Sequence, residues 1–231
     1  MQRFYKIMGK SWSRFWMMFA GISPCGRAAT RLAACFFPPY YGRHDLAWWN
    51  PKGYVSPNAS IHHSNLNIGS HIFIDDRVLI YEAAQGGPVT IGDRVHIYRD
   101  CIIQTGAEGN VKICADTFIQ PRCIFSAFKS PIIIGSRAQI APNCSFYSYD
   151  HSFYSGIPVI EQPLKTRGGI IVKDDVWLGL GVAVLDGVTI GKGAVIGAGS
   201  IVTKNIPDEA IAVGTPARVI KMRHELQRRE P

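Results

Sequence analysis

His151 is the side chain best suited to chemistry in this chain of 231 residues. An imidazole titrates near neutrality, so it can take a proton from one group and hand it to another. It stands directly before a 20-residue stretch, 152–171, that carries Gly156, Pro158, Pro163, Gly168 and Gly169. A long irregular stretch in a compact array is more often functional than idle. A histidine at its foot therefore reads as part of a site under a flap. His62 and His63 precede the regular part of the chain, while His71 and His96 fall at unrelated places in it. Beside this stretch Trp177 stands at a repeat edge, where it could simply cover a corner, while Gly179 and Gly181 leave the backbone open to close approach, so an N–H there could hold an oxyanion.

What positions these residues is a period of six. Val172, Leu178, Val184, Ile190, Ile196 and Val202 are spaced six apart, which fits neither an α-helix nor an alternating strand. It fits a solenoid with flat sides of short strands and one aliphatic residue per side pointing inward. The same phase recurs upstream in triplets: Ile68, Ile74, Ile80; Ile91, Ile97, Ile103; Ile113, Ile119, Phe125; and Ile134, Ile140, Phe146. Three hexads make a coil of 18 residues, and six coils start at Ile68, Ile91, Ile113, Ile134, Val172 and Ile190. The excess over 18 between starts is 5, 4, 3, 20 and 0 residues, always at one point of the repeat. The insertions should therefore leave from a single corner of a triangular prism. Weaker repeats at Val55 and Ile61 add a partial first coil. Stacked at about 4.8 Å per coil, six coils give a prism on the order of 29 Å long. The expected layout is an N-terminal arm over 1–50, the prism over 51–207 with its loop at 152–171, and a C-terminal segment over 208–231. In that last segment Val219, Met222 and Leu226 would line one side of a short helix running from Pro216 to Arg229.

Charge is concentrated at one end. Residues 1–44 carry seven Lys and Arg and no Asp or Glu, which is +7 of a net +8. They also hold Phe4, Tyr5, Trp12, Phe15, Trp16, Phe19, Phe36 and Phe37. The uncharged run Phe15–Ile22 is too short to span a bilayer or to act as a secretory signal. Two readings suit the segment: an arm packed on the prism or on a neighbouring subunit, or an amphipathic anchor on an anionic membrane face. Nucleic acid is disfavoured, because the basic residues form no motif and residues 45–231 are near neutral. Cys101, Cys123 and Cys144 share the fifth place of three successive hexads, where Val78 and Val182 also stand. They read as a buried ladder rather than a metal site or disulfide. The sequence contains no CxxC pair, and a cytoplasmic protein is expected.

The stretch Val172-Lys173-Asp174-Asp175-Val176-Trp177-Leu178-Gly179, the run from Ile190 to Lys204 and the tail Gly214-Thr215-Pro216-Ala217-Arg218 resemble the hexapeptide-repeat acyltransferases. The likeness is to their maltose, galactoside and polysaccharide O-acetyltransferase branch. It is strong over about 130–222, moderate over 55–130 and absent before 50. It implies a left-handed parallel β-helix, acetyl-CoA as donor without a metal, and a homotrimer with sites between subunits. It also implies that His151 is the general base of acetyl transfer. By resemblance Trp177 borders the acceptor or the pantetheine arm, Ala198 and Gly199 line the donor edge, and Thr203 and Lys204 lie nearer the nucleotide. Arg218, with Lys221 and Arg223, supplies cations for the CoA phosphates. Family members place an Asn on the coil before the catalytic one, where this chain reads Gln120-Pro121-Arg122-Cys123. Acceptor contacts then fall among Gln120, Asn143, Tyr149 and Asp150, and the group that orients His151 is left open. The zinc enzymes built on the same prism use a pair of histidines five residues apart, which this chain lacks.

The resulting expectation is an acetyl-CoA-dependent O-acetyltransferase acting directly on a saccharide, such as a surface-polysaccharide unit or its lipid-linked precursor. An amino-sugar N-acetyltransferase is the nearest alternative, antibiotic acetylation another, and a non-catalytic trimeric scaffold a third.

Overall fold

A computed structural model describes residues 2–37 and 41–226, with the side chains of 2–8 and 41 left out. The fold is a left-handed parallel β-helix of about seven coils. Its strands form a nine-, a seven- and a six-stranded sheet, here the first, second and third. The hexad phase is the pairing register. In the third sheet Ile68, Ile91, Ile113, Ile134, Val172 and Ile190 are direct neighbours, coil to coil. Val55 pairs with Ile74, and Ile61 with Ile80, so the partial first coil is present. Nearly all these inward side chains are fully buried. β-Branched residues dominate because each side is only two or three residues long, and a stiff side chain loses little freedom on burial.

Cys101, Cys123 and Cys144 are buried rungs, and their thiols donate to the carbonyls of Gln120, Ala141 and Gly179 at 3.2, 3.2 and 3.3 Å. The neighbouring Cys101 thiol and burial push Cys123 up to about 12, and Cys123 raises Cys144 likewise. Protonated, buried thiols serve as packing, not as nucleophiles.

Two corners of the prism carry residues with positive φ in successive coils. Between the first and second sheets they are Arg77, Asp100, Arg122, Asn143, Gly181 and Gly199, with φ between 56° and 69°. Between the third and first they include Arg94, Asp116, Arg137 and Asp175. Arg94 donates to Asp116 at 2.6 and 2.8 Å, and Arg137 to Asp175 at 2.6 and 2.9 Å. These exposed pairs hold Asp116 and Asp175 below the usual carboxylate range through the arginine hydrogen bonds. The third corner, between the second and third sheets, holds the insertions.

The N-terminal segment is helical: α1 (Gln2–Met17), α2 (Pro24–Ala33) and α3 (Tyr41–His44). Ser23 caps α2 by accepting from the Gly26 N–H at 3.1 Å, with Pro24 at the first turn. Met17, Ala20, Ala33, Leu46 and Ala47 bury themselves on Tyr54 and Phe73 of the first sheet. Arg27 reaches the Pro57 carbonyl at 2.8 Å, and Arg43 pairs with Asp76 at 3.1 Å.

One expectation is corrected at the other end. Residues Ala217–Met222 are a strand antiparallel to Ala210–Gly214, followed by a single 3-10 turn over Arg223–Glu225, not a helix. The last coil leaves an unpaired sheet edge, and the hairpin satisfies it with backbone hydrogen bonds. Val219 and Leu226 are accordingly half exposed, not gathered on one helix face. The end of the expected helix, 227–229, lies outside the described residues.

Candidate active site

The loop that follows the fourth full coil is a tied structure. Asp150 and His151 pair antiparallel with Lys165 and Leu164, and the Ser152 N–H donates to the Pro163 carbonyl at 3.2 Å. Gln162 is buried inside the loop. Its amide accepts from the Tyr154 N–H at 2.7 Å and donates to the carbonyls of Tyr154 and Ile157 at 3.0 and 2.8 Å. The returning strand is held by Asp186, whose carboxylate is only 4% exposed. It accepts from the Thr166 hydroxyl at 3.1 Å, the Gly169 N–H at 2.9 Å and the Arg167 N–H. The Thr166 hydroxyl oxygen also lies 2.7 Å from that of Ser130, and the Ser148 hydroxyl donates to the Ser130 carbonyl at 2.9 Å.

His151 therefore stands at the neck of a fixed loop, with its side chain exposed. It opens on a cleft of about 370 Å³ lined by Tyr147, Tyr149, Asp150, Leu185 and Asp186. The ring of Tyr149 lies 6.3 Å from that of His151, edge on, and 5.0 Å from that of Phe128. Aromatic faces beside a base suit a ligand with an apolar face and polar edge. Asp150 is turned to Arg167, with 3.4 Å between their polar atoms. Glu161 sits in the 3-10 turn at the far end of the loop. Asp186, Thr166, Arg167 and Tyr147 escaped the sequence reading. The available signal was a carboxylate at the insertion corner of the one coil that has no insertion.

The expected donor residues lie elsewhere. Trp177 is 55% exposed on the outer side of the first sheet. Gly179, Gly181, Ala198 and Gly199 form the corner between the first and second sheets. A Cβ on Gly181 or Gly199 would meet nothing within 4 Å, so this corner is bare. Its N–H groups are not all available: Gly179 donates to Ile196 at 2.8 Å and Gly181 to Pro142 at 2.9 Å. Neither glycine can lend its N–H to an oxyanion without breaking the coil ladder. The exposed turn residues Leu180 and Ala198 have amides with no partner among the described residues. Thr203 and Lys204 do not continue this edge. They follow Val202 at the far end of the second sheet, on the side where the loop leaves. Arg218 is exposed on the C-terminal hairpin, while Arg223 is tied to Glu209 at 3.1 Å and to the Gly193 carbonyl at 2.7 Å.

Gln120 and Asn143 also fall at the bare corner's column, and Asn143 accepts from Arg122 at 3.0 Å. Within one chain only Tyr149 and Asp150 of the expected acceptor residues adjoin His151. The second sheet separates the two groups by roughly 15 Å at about 3.3 Å per residue. Among the described residues no cluster of three or more His, Cys, Asp or Glu is placed to hold a metal.

No protein-family model matches the chain. The galactoside O-acetyltransferase of Lactococcus lactis is 41% identical over 93 residues, 38% of this chain and 42% of that one. Probable acetyltransferase Rv3034c of Mycobacterium tuberculosis is 31% identical over 173 residues, 73% of this chain and 48% of that one. This chain is thus similar to proteins named as acetyltransferases. It spans less than half the length of these two curated relatives. Among solved structures, a variant of AntD, an N-acyltransferase from Bacillus cereus in complex with dTDP-4-amino-4,6-dideoxyglucose and coenzyme A, has a TM-score of 0.56 at 28% identity. The match covers 69% of this chain and 82% of that one.

Proposed function

We propose that this chain is a hexapeptide-repeat acyltransferase that moves an acetyl group from acetyl-CoA to a hydroxyl of a saccharide, with His151 as general base. The observation that carries the reading is the exposed His151 at the neck of an anchored loop, beside Tyr147 and Tyr149 in an open cleft. The acceptor oxygen attacks the thioester carbonyl carbon while His151 takes its proton. The tetrahedral intermediate collapses with loss of the C–S bond, and the proton passes to the departing thiolate. No covalent acyl-enzyme is required. The tyrosines would stack on the sugar ring, and the thioester arm would lie along Trp177, Gly179, Gly181, Ala198 and Gly199. The amides of Leu180 and Ala198 replace those of the glycines as donors to it.

The separation of the two groups supports a homotrimer in which His151 of one subunit meets the bare corner of the next. Free cysteines among the described residues support a cytoplasmic setting, where thiols stay reduced. The acceptor would be a surface-polysaccharide unit or its lipid-linked precursor, met at the inner face of the membrane. A second reading, acyl transfer to an amino sugar, is favoured by the amino-sugar nucleotide in the complex cited above.

The test is thiol release from acetyl-CoA by the wild type and His151→Ala over a panel of sugars and amino sugars. Sugar-dependent release that collapses in the variant, with donor binding kept, is expected. Release confined to amino sugars selects the second reading. Equal release by both proteins removes His151 from the mechanism, and a monomer in sedimentation removes the shared site.

A further inference from the structure

We propose that the outer side of α1 and the turn after it is a docking face for an anionic lipid surface. This goes beyond the transfer chemistry and does not depend on it. The helix has two faces of different fate. Gly9, Ser13 and Met17, with Ala20 beyond the helix, are buried. The Ser13 hydroxyl donates to the Ala33 carbonyl at 2.5 Å, and the Trp12 indole N–H to the Leu32 carbonyl at 2.8 Å. The arm is thus packed on its own protein, as one of the two sequence readings expected. Packing leaves the opposite side unpartnered: Phe15, Met18, Phe19, Ile22 and Phe36 are 43–64% exposed. The rings form one continuous strip, Trp12 to Phe36 at 6.2 Å, Phe15 to Trp16 at 5.4 Å and Phe15 to Phe19 at 5.5 Å.

Two further observations select the occupant. Exposed Lys10, Arg14 and Arg31 flank the strip, and residues 1–44 contain no carboxylate side chain to repel a negative surface. A contiguous recess of about 320 Å³ opens beside Phe19 and Ile22, walled by Val55 and Ile68 with Lys52 on its lining. Apolar walls with one ammonium match an acyl chain beneath a phosphate. Aromatic rings at the interface with flanking cations are the arrangement by which a helix lies in a headgroup layer. Among the described residues no helix is long and apolar enough to cross a membrane, so the contact would be peripheral. A second copy of the chain would bring the same cations against one another, which disfavours it as the occupant.

The experiment is co-sedimentation of the full chain with phosphatidylcholine vesicles, with and without phosphatidylglycerol. Binding only to the phosphatidylglycerol vesicles, weakened by salt, is expected. Arg14→Glu should lower it by at least about five-fold, the effect of one cation near such a surface. Phe15→Ser/Phe19→Ser should abolish it while the thermal midpoint stays that of the wild type. Wild-type protein that stays in the supernatant overturns the proposal, as does a double variant, folded, that binds as well as wild type. Association without vesicles that the double variant dissolves would assign the face to a second copy, and also overturns it.

Discussion

The outer column of the first sheet runs in register through six coils from Tyr54 to Trp177, yet the two ends of that run have opposite fates. Tyr54, Phe73, His96, Phe118, Gln139 and Trp177 are direct neighbours in register. At one end Tyr54, Phe73 and His96 are fully buried beneath the helical arm, with His96 stacked between His44 at 4.1 Å and Phe118 at 4.5 Å. At the other end Trp177 is open to solvent. The adjoining corner repeats the contrast. Arg77 and Asp100 lock together at 2.7 and 2.9 Å and Arg122 holds Asn143, whereas Gly181 and Gly199 expose bare backbone. Since Arg, Asp and Asn take the same positive φ in the earlier coils, the conformation alone does not demand glycine there. What the glycines provide is clearance. The first coils use their outer surface for packing, and the last ones keep it free.

The largest effect should come from the cleft at His151. His151→Ala is expected to lower kcat by about 10²–10⁴-fold, the usual worth of a positioned acid–base group, with acetyl-CoA affinity by calorimetry unchanged. A variant that instead loses donor binding would mean His151 is structural.

The covered end should show itself in pH dependence. Burial, reinforced by His44, lowers His96 to about 4, so the native state keeps it neutral where the unfolded chain binds a proton. Its contribution is complete above the unfolded value near 6.5 and lost as pH falls from there toward about 4, by roughly 3 kcal/mol. Urea unfolding at a series of pH values should show that slope in the wild type, with most of it missing in His96→Phe. Equal slopes would mean that the arm does not seal this column.

Asp186→Asn keeps one acceptor oxygen where two served three donors, and should weaken closure of the loop by about 1–3 kcal/mol. Limited proteolysis within 152–165 should accelerate about ten-fold while the thermal midpoint of the prism barely moves. Unchanged cleavage would show that the paired neck, not Asp186, holds the loop. Gly181→Arg copies Arg122 of an earlier coil onto the bare corner. Stability should fall by about 1 kcal/mol for the conformation, and the KM for acetyl-CoA should rise about ten-fold or more, about 1.4 kcal/mol in binding. An unaltered KM would mean the donor lies elsewhere.

The smallest change belongs to the exposed corner ladders. Asp116→Asn should leave the melt at neutral pH nearly unmoved, because solvent screens the pair. The Arg94 hydrogen bond holds the Asp116 carboxyl below its ordinary range. Its contribution is therefore present above the unfolded value near about 4 and lost only as pH falls below it. A clear loss at neutral pH would give these ladders a larger part in the fold than their exposure suggests.

Much of this architecture is legible in the chain as written. An inward position that recurs every six residues must stay aliphatic whatever surrounds it, so Val172, Leu178 and Val184 disclose the coil without any partner. The insertion corner follows from counting, and with it the place of His151 and its loop. Other features depend on residues that share no local pattern. Asp186 closes the loop only because Thr166, Arg167 and Gly169, 17–20 positions earlier, return to the same corner. Met222 suits a helix by spacing, but the unpaired edge of the final coil offers more hydrogen bonds and makes its segment a strand. Gly179 and Gly181 look like available donors until the neighbouring coils take their N–H groups.

The periodic burial that makes a β-helix is determined by the sequence itself, because each side chain's inward or outward direction is set by steric rules acting over a few residues. The tertiary structure alone decides which outward side chains are covered and which corner each residue occupies. Those outcomes rest on coils 18 or more residues apart coming into register, and on an arm that shields one end of the column and not the other.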